Sequence, residues 1–268
     1  MRASPRTVTD NSEGPAVTNP SVVNPALRLS ETREIATKCK LPGMFIGHFA
    51  VGLASKKFAP RTNMAVLIAA PLFLDVLWPL FLLFGWEQVR IDPGNTRFTP
   101  LDLFYYPWSH SLLMSIVWAT AFALIYYLIA RYWPGTLAIW IGVVSHWILD
   151  WITHRPDMPL YPGSARFGLG LWNSIAGTLA VELIMFAVGL WLYIGATRAR
   201  DRIGRYAFIA YIALLLAAYI GDRFSSPPSS VAEIAWSGVV AEIILIPWAW
   251  WFDHHRALRS ETDALNQG

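Results

Sequence analysis

His146, Asp150 and His154 stand four residues apart in the segment Ser145-His146-Trp147-Ile148-Leu149-Asp150-Trp151-Ile152-Thr153-His154, inside a stretch otherwise apolar enough to cross a bilayer. On a helix, residues at this spacing share one face. An imidazole and a carboxylate aligned in this way can share a metal ion or a proton, and hydrocarbon offers neither group a cheap alternative partner. Three more carboxylates, Asp75, Glu182 and Glu242, fall inside apolar stretches that contain no Lys or Arg. A lone charged carboxylate at that depth costs several kcal/mol, so each must be protonated, hydrogen-bonded or bound to a cation. The candidate partners are histidines: His48, His110, His146 and His154.

The elements that must carry these residues follow from hydropathy. Of 268 residues, 55% are hydrophobic and only 15% charged, where a soluble domain has roughly a quarter charged. We therefore read an integral membrane protein. A bilayer core of about 30 Å needs about 20 apolar residues per helix, and six windows meet or approach that length: 63–84, 111–131, 136–154, 171–196, 206–221 and 231–252, the fifth being short. Met44 to Ser55 is apolar but too short to span, and is expected to form a half-helix or an interfacial helix. The fold class is thus all-α, a polytopic bundle of about six spanning helices plus a short N-terminal half-helix.

Three regions are expected. Residues 1–43 are polar and aperiodic, a disordered or non-native leader with Met44 as a candidate start; they contain no hydrophobic core of a signal peptide. Residues 44–253 form the bundle, and 254–268 a cytoplasmic tail. If the first window runs outward, sixteen Lys and Arg fall on one side and five on the other, which puts both termini in the cytoplasm and the loops 85–109 and 155–170 outside as ordered turns. The net charge of +3 is spread over short loops, a topological signal that excludes nucleic-acid binding. The single Cys39 excludes a disulfide framework and a thiolate metal site. Most of the 14 Trp and 10 Tyr are explained as interfacial belts.

Depth turns the polar residues into a constellation. His110 opens the second spanning window, Asp150 and His154 close the third, His146 lies two turns deeper than His154, and Asp75 is near the middle of the first. His110, His146, Asp150 and Asp75 can therefore meet in the outer half of the bundle. Nitrogen and oxygen donors without sulfur suit Zn, Mn or Fe, and two carboxylates would admit two ions. A bound ion would lower the pKa of a water to about 7 and supply a nucleophile.

These residues also carry a resemblance. Gly47-His48, the aspartate and proline of Leu74-Asp75-Val76-Leu77-Trp78-Pro79, His110-Ser111, and His146 with Asp150 resemble the motifs of the membrane-bound metal-dependent hydrolases, also called LexA-binding inner membrane-associated hydrolases. The resemblance covers about residues 44–160. That family has Pro-Asp-x-Asp in its second helix and a basic residue before His-Ser; here Asp75 stands alone and aromatic residues precede His110. It implies metal ligands at His48, Asp75, His110, His146 and Asp150, with Asp75, His110 and Asp150 catalytic, and an inner-membrane location. The expected function is metal-dependent hydrolysis of an ester or phosphoester, including one in a membrane lipid, with Arg155 or Arg166 positioning an anion.

Other readings stand beside this one. His146 and Asp150 can form an interhelical hydrogen-bonded pair, and Glu182 and Glu242 can be neutral acids bonded across helices. His154, before Arg155-Pro156, can cap its helix, Asp157 can support a neighbour, and His254 and His255 are expected to be solvated. Ser109 and Ser111 lack a Gly-x-Ser-x-Gly setting, so serine hydrolysis is not the expected chemistry. An ion- or proton-coupled carrier would use Asp75, Asp150 and Glu182 as a relay, though no internal repeat accompanies them. A non-catalytic membrane partner protein would use the polar residues only to lock helices.

Overall fold

A long apolar run satisfies its backbone in hydrocarbon only by closing its own helical hydrogen bonds, and the computed structural model, which describes Met1 and residues 46–259, is accordingly helical. The short helix α1 spans Ile46–Phe58 and is followed by α2, Met64–Leu83. A hairpin of β1 (Gln88–Ile91) and β2 (Leu101–Tyr105) leads into the single turn α3 (Pro107–His110), then α4 (Leu112–Ala130) and α5 (Trp133–Thr153). Strands β3 (Met158–Pro159) and β4 (Arg166–Phe167) and a 3-10 turn at Leu171–Asn173 precede α6 (Ile175–Ala196). The chain closes with β5 (Thr197–Ala199), α7 (Arg202–Asp222), α8 (Val231–His254) and β6 (Arg256–Leu258). Each sheet is a two-stranded antiparallel ribbon: β1 with β2, β3 with β4, and β5 with β6.

Six helices, α2 and α4 to α8, are 19 to 24 residues long and apolar enough to cross a membrane. Their ends are set by local chemistry. Asn63, Ser111, Ser174, Asp201 and Ser230 each turn a side-chain oxygen onto a first-turn amide of the helix that follows, satisfying a donor that the helix cannot. Two windows shift for this reason. Asp201 starts α7 at Arg202, so the fifth span has 21 residues and is not short; its first-turn arginines had masked it in hydropathy. Ser174 starts α6 at Ile175, leaving Leu171–Asn173 as a separate turn.

Helix α1 is a buried half-helix. Eight of its 13 residues are buried, which excludes the interfacial alternative, and at 1.5 Å per residue it is only about 20 Å long. Small residues make this possible, as in other membrane helix pairs. A Cβ on Gly52 would lie 2.8 Å from the Leu67 carbonyl of α2, and one on Gly189 of α6 would lie 2.4 Å from the Ala50 carbonyl. Where α1 ends, buried Lys56 donates to Asp253 of α8 at 2.8 Å, and Asp253 also accepts from the Met64 amide and the Tyr193 hydroxyl. Around that pair, Tyr193, Phe208, Tyr211 and Phe252 pack as one aromatic cluster. At the opposite end lie the β1–β2 and β3–β4 hairpins, so the two long loops are ordered as expected. The leader at 1–43 lies outside the described residues, apart from Met1.

Candidate functional site

Asp150 is the hub. It sits one turn below His146 on α5, and its Oδ2 is 3.0 Å from His146 Nε2 while its Oδ1 is 3.2 Å from Nε2 of His48, the third residue of α1. The His48 and His146 rings stack in parallel with centroids 3.9 Å apart. His110, closing α3, brings its Nε2 to 3.7 Å from Asp150 Oδ2 and 3.5 Å from Asp75 Oδ1 of α2. Asp75 Oδ1 is in turn 3.8 Å from His146 Nε2. The donor atoms of His48, His146 and Asp150, and those of Asp75, His110 and His146, each lie within 4.8 Å of one another. The structure thus brings together all five residues singled out from the sequence as ligands.

Backbone and neighbours fix how the imidazoles present themselves. His146 Nδ1 is 2.7 Å from the Pro71 carbonyl; a carbonyl only accepts, so Nδ1 carries a proton, and Nε2, 3.0 Å from Asp150 Oδ2, either donates a second N–H to that carboxylate or turns a lone pair to a cation held between them. Ser109 Oγ lies 2.6 Å from Glu87 Oε2 and 2.6 Å from His110 Nδ1. Donating to Glu87, the hydroxyl accepts from His110 Nδ1, which frees His110 Nε2. Glu87 Oε1 also accepts the Trp108 and Ser109 amides, both at 2.8 Å, and so holds the start of α3. Burial pushes the Glu87 carboxyl above its ordinary value, against the pull of His110 and of these donors. The outcome is that His110 Nε2 and His146 Nε2 face each other at 3.1 Å. Two lone pairs at that distance repel unless a proton or a cation lies between them.

His154 caps the C-terminus of α5 and borders the cluster, its Nε2 3.8 Å from Asp150 Oδ2. Its Nδ1 meets Asp157 Oδ1 at 3.0 Å, and the buried Tyr106 hydroxyl donates to that same oxygen at 2.9 Å. Burial disfavours a charge on His154, but Asp150 and Asp157 outweigh it and hold its pKa above the ordinary histidine value. Burial and Asp157 push the Tyr106 phenol well up, so it remains a donor.

The cluster opens into a cavity of about 120 Å³, mostly apolar, bounded by α1, α2, α6, α8 and the β1–β2 hairpin. The His48, His146 and Asp150 side chains are 1%, 0% and 6% exposed, whereas Asp75 is 40% exposed and faces the opening. Glu182 of α6 and Glu242 of α8 line the same cavity. Arg155 does not: it pairs with Asp102 and Asp157. Arg166 is exposed on β4 beside a separate surface hollow. Arg155 is therefore committed to carboxylates of the surrounding loops and not to the cluster. His255 pairs with Asp201 and belongs to the far end of the bundle. Glu87 and Tyr106 were not singled out from the sequence, and Ser109 was considered only as a nucleophile; lying in a polar loop, they carry no hydropathic signal. Only the adjacency of Ser109 to His110 could have hinted at support.

No curated protein and no solved structure matches this chain. Residues 107–225, from α3 through α7, match the family described as YdjM inner membrane protein, a stretch that contains His110, His146 and Asp150. With that match and six helices long and apolar enough to span, the chain is an integral membrane protein.

Proposed function

We propose that this chain is an inner-membrane, metal-dependent hydrolase that acts on an ester or phosphoester of a lipid-like molecule, with both termini cytoplasmic. One observation carries the reading: the Nε2 atoms of His110 and His146 converge at 3.1 Å with both Nδ1 atoms committed elsewhere. Pinning the outer nitrogen of a ligating histidine by a carbonyl or carboxylate is the usual support of a metal site. His48, Asp75 and Asp150 complete a nitrogen and oxygen donor set suited to Zn, Mn or Fe. Because His146 has one lone pair to give, the two triads that share it serve one ion rather than two.

A divalent ion in such a set supplies Lewis acidity, polarising a substrate oxygen and bringing the pKa of a water to about 7. The protein's own groups do the rest. Asp75, at the open edge of the cluster, accepts a proton from the attacking water. His154, oriented by Asp157 and Tyr106, holds a proton at Nε2 for a leaving oxygen, and the apolar walls exclude bulk water. The test is turnover of long-chain nitrophenyl esters and phosphodiesters by the full chain in uncharged micelles with Zn, Mn or Fe. Asp150→Asn and His146→Ala should fall to background, while Arg166→Ala should stay within about twofold of wild type. Turnover of neither substrate class above the His146→Ala background, in protein shown to hold metal, would overturn the hydrolase assignment.

A further inference from the structure

The link between α6 and α7 gathers positive charge at the end of the bundle away from the histidine cluster. It carries Arg198, Arg200, Arg202 and Arg205, all four exposed. Arg198 and Arg200, on β5 and just after it, share one side because alternate residues of a strand do; Arg202 and Arg205 share a face of α7 at i and i+3. None of the four has a carboxylate partner among the described residues. Asp201, within the link, is spent on the Gly204 amide and on His255, and Asp253 is spent on Lys56. Nor do these arginines serve the fold as Arg256 does, whose guanidinium turns inward to Thr197 Oγ1 and the Gly204 carbonyl. Arg202 and Arg205 even stand in the first turn of α7, the positive end of its dipole, where a cation is disfavoured. Four like charges held against that gradient call for an anion.

Their neighbours fix the level at which that anion lies. Trp191 and Ile194 near the end of α6, and Ile203 and Tyr206 near the start of α7, are exposed, each pair at i and i+3 and so on one helix face. On helices long and apolar enough to span, exposed Trp, Tyr and Ile next to arginine mark the depth where acyl chains give way to headgroups. We propose that Arg198, Arg200, Arg202 and Arg205 form a binding patch for the phosphate headgroups of anionic phospholipids, whose acyl chains run along Trp191 and Ile194 and along Ile203 and Tyr206. Four cations directly beyond a spanning helix are enough to gather anionic lipid, each adding about fivefold in binding to such a surface, and a guanidinium grips phosphate through two parallel N–H bonds. Free phosphate gains the charge but not the apolar contact, so it binds the patch weakly.

The test uses the full chain in uncharged detergent and compares phosphatidylglycerol, phosphatidylcholine and free glycerol phosphate, with bound probe counted by native mass spectrometry and Tm followed in parallel. Phosphatidylglycerol should bind wild type about tenfold more tightly than phosphatidylcholine, raise Tm, and lose its advantage as salt is raised. Glycerol phosphate should not displace it at equal concentration. Arg198→Gln with Arg200→Gln, and Arg202→Gln with Arg205→Gln, should each reduce the preference, and all four together should remove it. Arg61→Gln with Arg131→Gln, whose side chains lie over Tyr132 and Tyr127, should keep it. Equal binding of the two lipids by wild type, a preference that survives the fourfold variant, or glycerol phosphate binding as tightly as phosphatidylglycerol would each overturn the patch. The wild-type comparison requires no variant to fold, and no arm depends on metal, so the patch and the hydrolase reading can fail separately.

Discussion

Gly189→Ala should damage the fold and the site together. An ideal Cβ at Gly189 lies 2.4 Å from the Ala50 carbonyl oxygen and 2.7 Å from Ala50 Cα, both backbone atoms of α1 that no rotamer change can move. Ordinary carbon contacts need about 3.5 Å, so α1 must retreat from α6 by about 1 Å. That helix carries His48, whose Nε2 is 3.2 Å from Asp150 Oδ1, and a shift of this size is enough to take it out of reach. Overpacking of this kind costs about 1–3 kcal/mol, and replacing glycine in a helix returns at most about 1 kcal/mol. The control is Gly195→Ala on the same helix, where a Cβ meets nothing within 4 Å; only the propensity gain applies there, and the sign reverses. Denaturant unfolding in mixed micelles, paired with metal affinity by chelator competition, measures both effects. If Gly189→Ala is as stable as Gly195→Ala and binds metal as wild type does, the argument that α1 is held by backbone contact is wrong.

Lys56→Met should cost about 3–5 kcal/mol by stranding the buried Asp253 carboxylate, and adding Asp253→Asn should recover part of that loss in the same unfolding assay. Glu87→Ala removes the acceptor that orients Ser109 and hence His110, and should weaken metal affinity about 10–100-fold with the helices intact by circular dichroism. At the surface, the Gly204 amide and then His255 hold the Asp201 carboxyl below its ordinary value of 3.8. A depressed carboxyl stabilises above its unfolded value and loses that contribution as pH falls through the folded one. Asp201→Asn should therefore unfold more easily than wild type at pH 7, with the gap in Tm closing below about pH 3.8.

The spans and the core of the site were legible for one reason: in hydrocarbon a polar residue is an anomaly, and anomalies at four-residue spacing, as at His146 and Asp150, point to a shared face. His48 was harder to weigh, since a lone histidine in a short segment also fits an interface. The supporting groups were not legible by the same logic. Glu87, Ser109 and Tyr106 sit in loop sequence where polar residues are unremarkable, and only the folded hairpin shows that they are buried. Lys56 and Asp253 lie 197 residues apart, and no local pattern links them. Arg155 stands next to the site in sequence, but the folded loop commits it to Asp102 and Asp157, a pairing that spacing does not reveal.

The central claim is that the His/Asp cluster holds a divalent ion, and metal content answers it most directly. Protein purified in the full chain and analysed by plasma mass spectrometry should contain about one Zn, Mn or Fe per chain, and His146→Ala and Asp150→Asn should contain none. An ion bound only by the folded state stabilises it by about 2.7 kcal/mol at a hundredfold excess over Kd, so a chelator should lower the Tm of wild type and leave both variants unmoved. Wild type free of metal, with a Tm indifferent to chelator and to added Zn, Mn or Fe, would contradict the account and leave the cluster as a hydrogen-bonded lock between helices.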